Sequence, residues 1–130
     1  MKIYESSEDY LEAILALEQE KGNVHSVDIA ELLGFSKASV SVAMKKLRQN
    51  GYIKMDRDGE IHLLEPGRKI AEDILERHRV LTAVFVRLGV DPETAAEDAC
   101  KVEHDLSVET FNAIKDHIAP FMNHNNESHE

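Results

Sequence analysis

Residues 26–64 read SVDIAELLGFSKASVSVAMKKLRQNGYIKMDRDGEIHLL, and this stretch decides the fold. Ser26 is placed to cap a short helix over VDIAELL, which Gly34 stops. Ser36 is placed to cap a longer helix over KASVSVAMKKLRQN, which Gly51 stops. In the longer helix Val40, Ala43, Met44 and Leu47 share one side, as a buried stripe requires. Helix, tight glycine turn and longer helix make the helix-turn-helix pattern. The period then changes to that of strands. Tyr52-Ile53-Lys54-Met55 and Ile61-His62-Leu63-Leu64 flank the turn Asp56-Arg57-Asp58-Gly59-Glu60, and an Asp-Gly turn between apolar runs signals a hairpin. A hairpin directly after a helix-turn-helix is a wing.

The second helix has the chemistry of a groove reader. Such a helix needs small polar side chains at its exposed N-terminal end and cations nearby for phosphates. Ser36, Lys37, Ala38, Ser39, Ser41 and Val42 supply the first, with Ala38 or Val42 suited to a thymine methyl. Lys45, Lys46 and Arg48 supply the second, and Arg57 at the wing tip is placed to reach a phosphate or a minor groove. An ordinary amphipathic helix would also carry a solvated basic face; the short helix before it and the wing after it favour DNA. Charge distribution agrees. The chain has a formal net charge of −10, with 15 basic and 25 acidic residues. Five of the basic ones (Lys37, Lys45, Lys46, Arg48, Lys54) fall between Ser36 and Lys54, where no acidic residue occurs. One basic island on an acidic body can touch phosphates while the body limits non-specific binding.

Outward from this segment the chain reads as helices. Residues 6–20 carry the stripe Leu11, Ile14, Leu15 and Leu17 behind Ser6 or Ser7 as cap, ending near Lys21-Gly22-Asn23. Pro66 opens a long helix to Leu88, with Ile70, Ile74, Leu75, His78, Leu81, Phe85 and Leu88 near one face, and Gly89 ends it. Asp91-Pro92 opens another, to about Asp105. Ser107 caps a last helix through Phe111, Ile114 and Ile118, ending at Pro120. The expected fold is mainly α: a winged helix-turn-helix with a small β-hairpin over residues 1–65, a helical domain over 66–120, and a disordered tail over 121–130.

The 130 residues suit one domain or two small ones, and with 42% apolar residues, few aromatics and no Trp the core must be aliphatic. No apolar run approaches the roughly 18 residues of a membrane span. The N-terminus MKIYESSEDY has no apolar signal segment. A lone cysteine excludes an internal disulfide framework. A cytoplasmic protein with no membrane partner is expected.

That cysteine sits in CKVEHDLS, residues 100–107. Spacings of three and four bring Cys100, Glu103 and His104 to one helical face. Thiolate, carboxylate and imidazole are transition-metal ligands, and a thiol beside a histidine base is also what a nucleophile needs. Taken singly, the cysteine reads as a small buried hydrophobe and the Glu-His pair as solvent-exposed. Asp9 and Glu12, one turn apart on the first helix, and His78 on the long helix are further candidate ligands, although dipole compensation explains Asp9 and a core position explains His78.

Together these segments resemble the diphtheria-toxin-repressor and manganese-transport-regulator family of metal-dependent transcriptional repressors. The resemblance runs from about Ser7 to Pro120. It is carried by SSEDYLEAI, VDIAELLGFSKASVSVAMKKLRQNGYI, LLEPGRKIA, ILERHRVL and ACKVEHDLS. It implies a homodimer with a C-terminal helical dimerisation domain, no SH3-like third domain, and a metal site where the two domains meet. The ligand positions by motif match are Asp9, Glu12, His78, Cys100, Glu103 and His104. The chain is a hybrid of two branches: like the manganese branch at Asp9, like the iron branch at Cys100. Mn(II) or Fe(II) is therefore expected, with Co(II) or Zn(II) as the alternatives a thiolate admits, and one or two ions per subunit. Thr82 and Ala96 stand where the iron branch keeps ligands of an ancillary site, so that site is not expected. Val42 replaces a glutamine of the iron branch, so operator preference does not carry over.

The expected protein is thus a metal-activated repressor on a palindromic double-stranded operator, acting on no small organic substrate. Three other readings compete. An enzyme using Cys100 and His104 lacks a glycine-rich oxyanion loop. A winged-helix regulator could sense an oxidant or small molecule instead. A bare metal buffer would leave the basic island without a purpose.

Overall fold

The computed structural model of the chain describes the backbone of residues 5–128 and the side chains of residues 6–122. The elements run α1 (Glu5–Lys21), α2 (Ser26–Leu33), α3 (Lys37–Gln49), β1 (Ile53–Met55), β2 (Ile61–Leu63), α4 (Glu65–Arg87), α5 (Pro92–Val102) and α6 (Val108–Ser128). They form a mainly α chain with one small antiparallel sheet. Contacts divide it into two compact units, residues 1–73 and 74–130, with the boundary inside α4.

The first unit is the winged helix. Leu11, Ile14, Leu15 and Leu17 of α1 are all buried, as are Ile29 of α2 and Val40, Met44 and Leu47 of α3. The hairpin pairs Ile53 with Leu63, Lys54 with His62 and Met55 with Ile61. Residues directly opposite share a face, so Ile53, Ile61 and Leu63 turn inward together. The Ile61 N–H donates to the Val24 carbonyl at 2.8 Å, which ties the segment between α1 and α2 to the wing. The Arg68 guanidinium makes two bonds, 2.9 and 3.1 Å, to the Glu18 carboxylate and so fixes the first turn of α4 on α1. Gly67 is required there: a Cβ at this position would lie 2.2 Å from the Tyr52 carbonyl oxygen.

In the second unit Val80, Phe111 and Ile118 form a core between α4 and α6, joined by Val84, Ile114 and Met122. Asp91 caps α5 by accepting from the Thr94 N–H at 3.3 Å, and Ser107 caps α6 by accepting from the Thr110 N–H at 3.0 Å.

Four local expectations change. Helix α1 already contains Ser6 and Ser7, so neither is its cap. Helix α2 begins at Ser26 itself; its cap is His25, whose N–H donates to the Asp28 carboxylate at 2.8 Å. That carboxylate also takes the Lys21 ammonium at 2.7 Å. Helix α5 stops at Val102 rather than near Asp105, because the Asp105 N–H bonds the Val102 carbonyl in a tighter turn. Helix α6 passes through Pro120 to Ser128, so the expected tail 121–130 is helical in its backbone up to that residue. Residues 129–130 lie outside the described residues. A proline inside a helix forfeits one hydrogen bond, and on α6 the buried anchors Phe111 and Ile118 lie on the N-terminal side of it.

Candidate functional site

His78 projects from the middle of α4. Cys100 lies in the last turn of α5, Glu103 caps that helix, and His104 follows in the turn. His78 Nδ1 stands 3.1 Å from Glu103 Oε2 and 3.7 Å from Cys100 Sγ. One ligand atom from each of His78, Cys100 and Glu103 lies within 4.8 Å of the others. His104 Nε2 is 3.5 Å from the second Glu103 oxygen, Oε1. Four candidate ligands predicted from sequence are therefore adjacent in the second unit.

Glu103 is the unusual member. Its side chain is 0% exposed, and Oε1 makes no hydrogen bond among the described residues. A carboxylate fully removed from water is costly unless its oxygens are satisfied. A divalent cation among carboxylate, imidazole and thiolate would satisfy this one, and the donor set suits Mn(II), Fe(II), Co(II) or Zn(II). Cys100 is exposed and His78 half-buried, so the cluster is open on one side.

The turn carrying Glu103 is held by a residue the sequence reading did not single out. Arg77 Nη1 donates to the Glu103 carbonyl at 3.0 Å and to the Leu106 carbonyl at 2.7 Å. Its guanidinium also lies over the Phe111 ring, 5.1 Å from the centroid. A helix end leaves carbonyls without intrahelical donors, and a guanidinium supplies two at once. The only sequence signal was its place beside His78 in ILERHRVL. Thr82, where an ancillary ligand was not expected, bonds its hydroxyl to the His78 carbonyl at 2.7 Å.

Asp9 and Glu12 lie in the first unit, one turn apart on α1, both half-buried. Burial raises the pKa of the neighbouring Tyr10 hydroxyl, and the Asp9 charge pushes it the same way. Tyr10 packs edge-on against Phe35, with centroids 5.8 Å apart.

The helix-turn-helix presents an uninterrupted face. Ser36, Lys37, Ala38, Ser39, Ser41, Val42, Lys45, Lys46 and Arg48 are exposed, while Val40, Met44 and Leu47 point inward. Val42 is 56% exposed, a large apolar side chain in water at the centre of this polar face. Ser36 has a structural duty: it accepts from the Ser39 N–H at 3.1 Å as the α3 cap, and its hydroxyl bonds Ser39 Oγ. Arg57 is exposed in the wing turn.

A winged helix joined in one chain to a buried-carboxylate, imidazole and thiol cluster is the build of one class of protein, the DNA-binding transcriptional regulator that responds to a metal ion. The particular family follows from comparison with known proteins. Residues 2–61 match the iron dependent repressor N-terminal DNA binding domain, and residues 64–128 match the iron dependent repressor metal binding and dimerisation domain. The chain belongs to the iron-dependent repressor family. It is 37% identical over 108 residues to the transcriptional regulator MntR of Escherichia coli, covering 83% of this chain and 70% of that protein. It is 33% identical over 119 residues to the regulator MntR of Listeria monocytogenes, covering 92% and 84%. Among solved structures, a manganese-dependent transcriptional repressor in complex with manganese superposes with a TM-score of 0.80 at 26% identity, covering 87% of this chain and 52% of that one. IdeR of T. acidophilum gives 0.78 at 25%, covering 92% and 55%. The chain thus spans about half the length of these two structures. Among the described residues no helix is long and apolar enough to cross a membrane.

Proposed function

We propose that this chain is a repressor of metal-homeostasis genes, switched on by Mn(II) or Fe(II) and bound as a homodimer to a palindromic operator in the cytoplasm. The observation that carries this reading is the convergence of His78 and Cys100 on the wholly buried Glu103 carboxylate. His78, Cys100, Glu103 and His104 would hold the ion, and Asp9 and Glu12 of α1 complete the ligand set that the family resemblance implies. The bound cation supplies positive charge that removes repulsion among these carboxylates. On this reading donors from α1, α4 and the end of α5 would share the ion, so that loading it would restrain the winged helix. A tens-fold gain in operator affinity needs only about 2 kcal/mol of such coupling.

The manganese-dependent repressor that this chain resembles favours manganese by name. Cys100 pulls toward softer ions, and a thiol must lose its proton to bind, which makes loading pH-sensitive. The dimer surface we favour is the apolar groove of the second unit lined by Val84, Leu88, Ala113, Ile114, Ile118 and Phe121, where Leu88 is 75% exposed. The exposed residues of the helix-turn-helix and wing divide the work on DNA. Lys37, Ala38, Ser39, Ser41 and Val42 face base edges, Ser36 holds the helix start, and Lys45, Lys46 and Arg57 meet phosphates.

The test is anaerobic selection of bound duplexes from a random library with chelator, Mn(II), Fe(II) or Zn(II). Enrichment of a palindrome only with metal is the expected result and ranks the ions. Equal enrichment with chelator would overturn the metal switch. It would favour instead an oxidant sensor at the exposed Cys100 thiol, 3.7 Å from the His78 imidazole.

A further inference from the structure

The wing carries a second group of metal-ligand side chains, far along the sequence from the cluster described above. Asp56 follows β1, Glu60 precedes β2 and His62 lies within it. The Asp56 N–H donates to the Glu60 carbonyl at 2.9 Å, which extends the ladder one pair beyond Met55 and Ile61. Alternation along a strand then places Asp56, Glu60, His62 and Lys54 on the outer face, opposite Ile53, Ile61 and Leu63. His62 Nε2 stands 2.8 Å from Asp56 Oδ2 and 4.0 Å from Glu60 Oε2. One ligand atom from each of the three lies within 4.8 Å of the others.

We propose that Asp56, Glu60 and His62 form a weak surface site for a divalent transition cation on the wing. Two carboxylates and one imidazole are a donor set that Mn(II), Fe(II), Co(II) and Zn(II) accept, with water filling the open positions. The scaffold favours it, because all three donors stand on a paired hairpin whose turn is fixed by the Gly59 N–H to Asp56 carbonyl bond at 3.0 Å. Charge favours it as well. Residues 56–62 carry Asp56, Asp58 and Glu60 against Arg57 alone, a net of −2 with His62 neutral. That is the wrong sign for an element near phosphates, and one divalent ion cancels it. Lys54, exposed on the same face, weakens the site and keeps it at the low-affinity end. The effect on DNA rests on the repressor reading above, whereas ion binding at the wing does not.

The test uses the full chain and Mn(II) alone. Manganese is titrated in while the histidine ring resonances are followed by NMR, with His117, which belongs to neither cluster, as the reference. The expected result is selective broadening at His62, with its half-point moved to at least about tenfold higher Mn(II) in an Asp56→Asn, Glu60→Gln double variant, since even outer-shell changes cost about that much. These residues are outside the core, and circular dichroism of the variant checks that the hairpin persists. No selective broadening at His62, or broadening unchanged in the double variant, overturns the wing site. Broadening at His78 and His104 reports the other cluster separately, so the two readings fail independently.

Discussion

Glu103→Gln separates the cost of the buried carboxylate from its use. Glu103 is fully buried, and Oε1 has no hydrogen bond among the described residues, only the His104 imidazole 3.5 Å away. A buried polar group lacking a partner costs about 1–3 kcal/mol, more when charged. The amide removes the charge, keeps the shape, and can offer an N–H to His78 Nδ1, now 3.1 Å from Oε2. Some of the lost interaction with His78 offsets this. The variant without metal should therefore be more stable by about 1 kcal/mol, a rise of a few degrees in Tm for a domain of this size. Metal should act in the opposite sense. Saturating the wild type at about 100 times Kd stabilises it by about 2.7 kcal/mol, and the variant should lose most of that gain. Urea unfolding in chelator and in Mn(II), on both proteins, measures all four values. A variant that is less stable than wild type in chelator yet keeps the full metal increment would refute the assignment of Glu103 as a ligand held at a structural cost.

Four further outcomes follow from the same geometry. Arg77→Ala should cost about 2–4 kcal/mol, from two charged hydrogen bonds and the Phe111 contact, and should weaken metal binding with it, both readable by urea unfolding with and without Mn(II); Arg77→Lys should recover only part. Gly67→Ala should destabilise the winged helix by about 1–3 kcal/mol despite alanine's better helix propensity, because its Cβ meets the Tyr52 carbonyl rather than a yielding side chain; a stability gain in the same assay would show that α4 shifts freely. The Lys21 ammonium, then the His25 N–H, hold the Asp28 carboxyl below its ordinary 3.8; its stabilisation is present above that value and is lost as pH falls through the lower folded one, so Asp28→Asn should flatten the acid limb of stability below about pH 4. Lys46→Ala should reduce the salt slope of operator binding by about two units, one for each protomer of the dimer, while leaving sequence preference unchanged, measured by fluorescence anisotropy at several salt concentrations.

Much of the fold was legible because its signals are local. The serine and glycine punctuation of residues 26–51 needs no distant partner, and neither does the Asp-Gly turn of the wing. The apolar runs on either side of that turn, Tyr52–Met55 and Ile61–Leu64, mark its two strands in the same local way. Helix ends were less legible, because they depend on which group arrives to satisfy the last carbonyls. Nothing local at Glu103 says that Arg77, 26 residues earlier, will take its carbonyl just past the end of α5. Pro120 sent the opposite error: a local stop signal was overridden, and α6 continues to Ser128.

Periodicity and capping along the chain were enough for the winged helix-turn-helix, for the basic face of α3 and for the membership of Cys100, Glu103 and His104 in one short segment. Packing was needed to show that His78 meets Cys100 and Glu103, that Glu103 is shut away from water, and that Asp56, Glu60 and His62 share the outer face of the wing within bonding range of one cation. The reason is that burial and ligand distance are properties of contact between segments. A chain position carries a residue's chemistry, but its neighbours across the fold set the dielectric and the partners in which that chemistry acts.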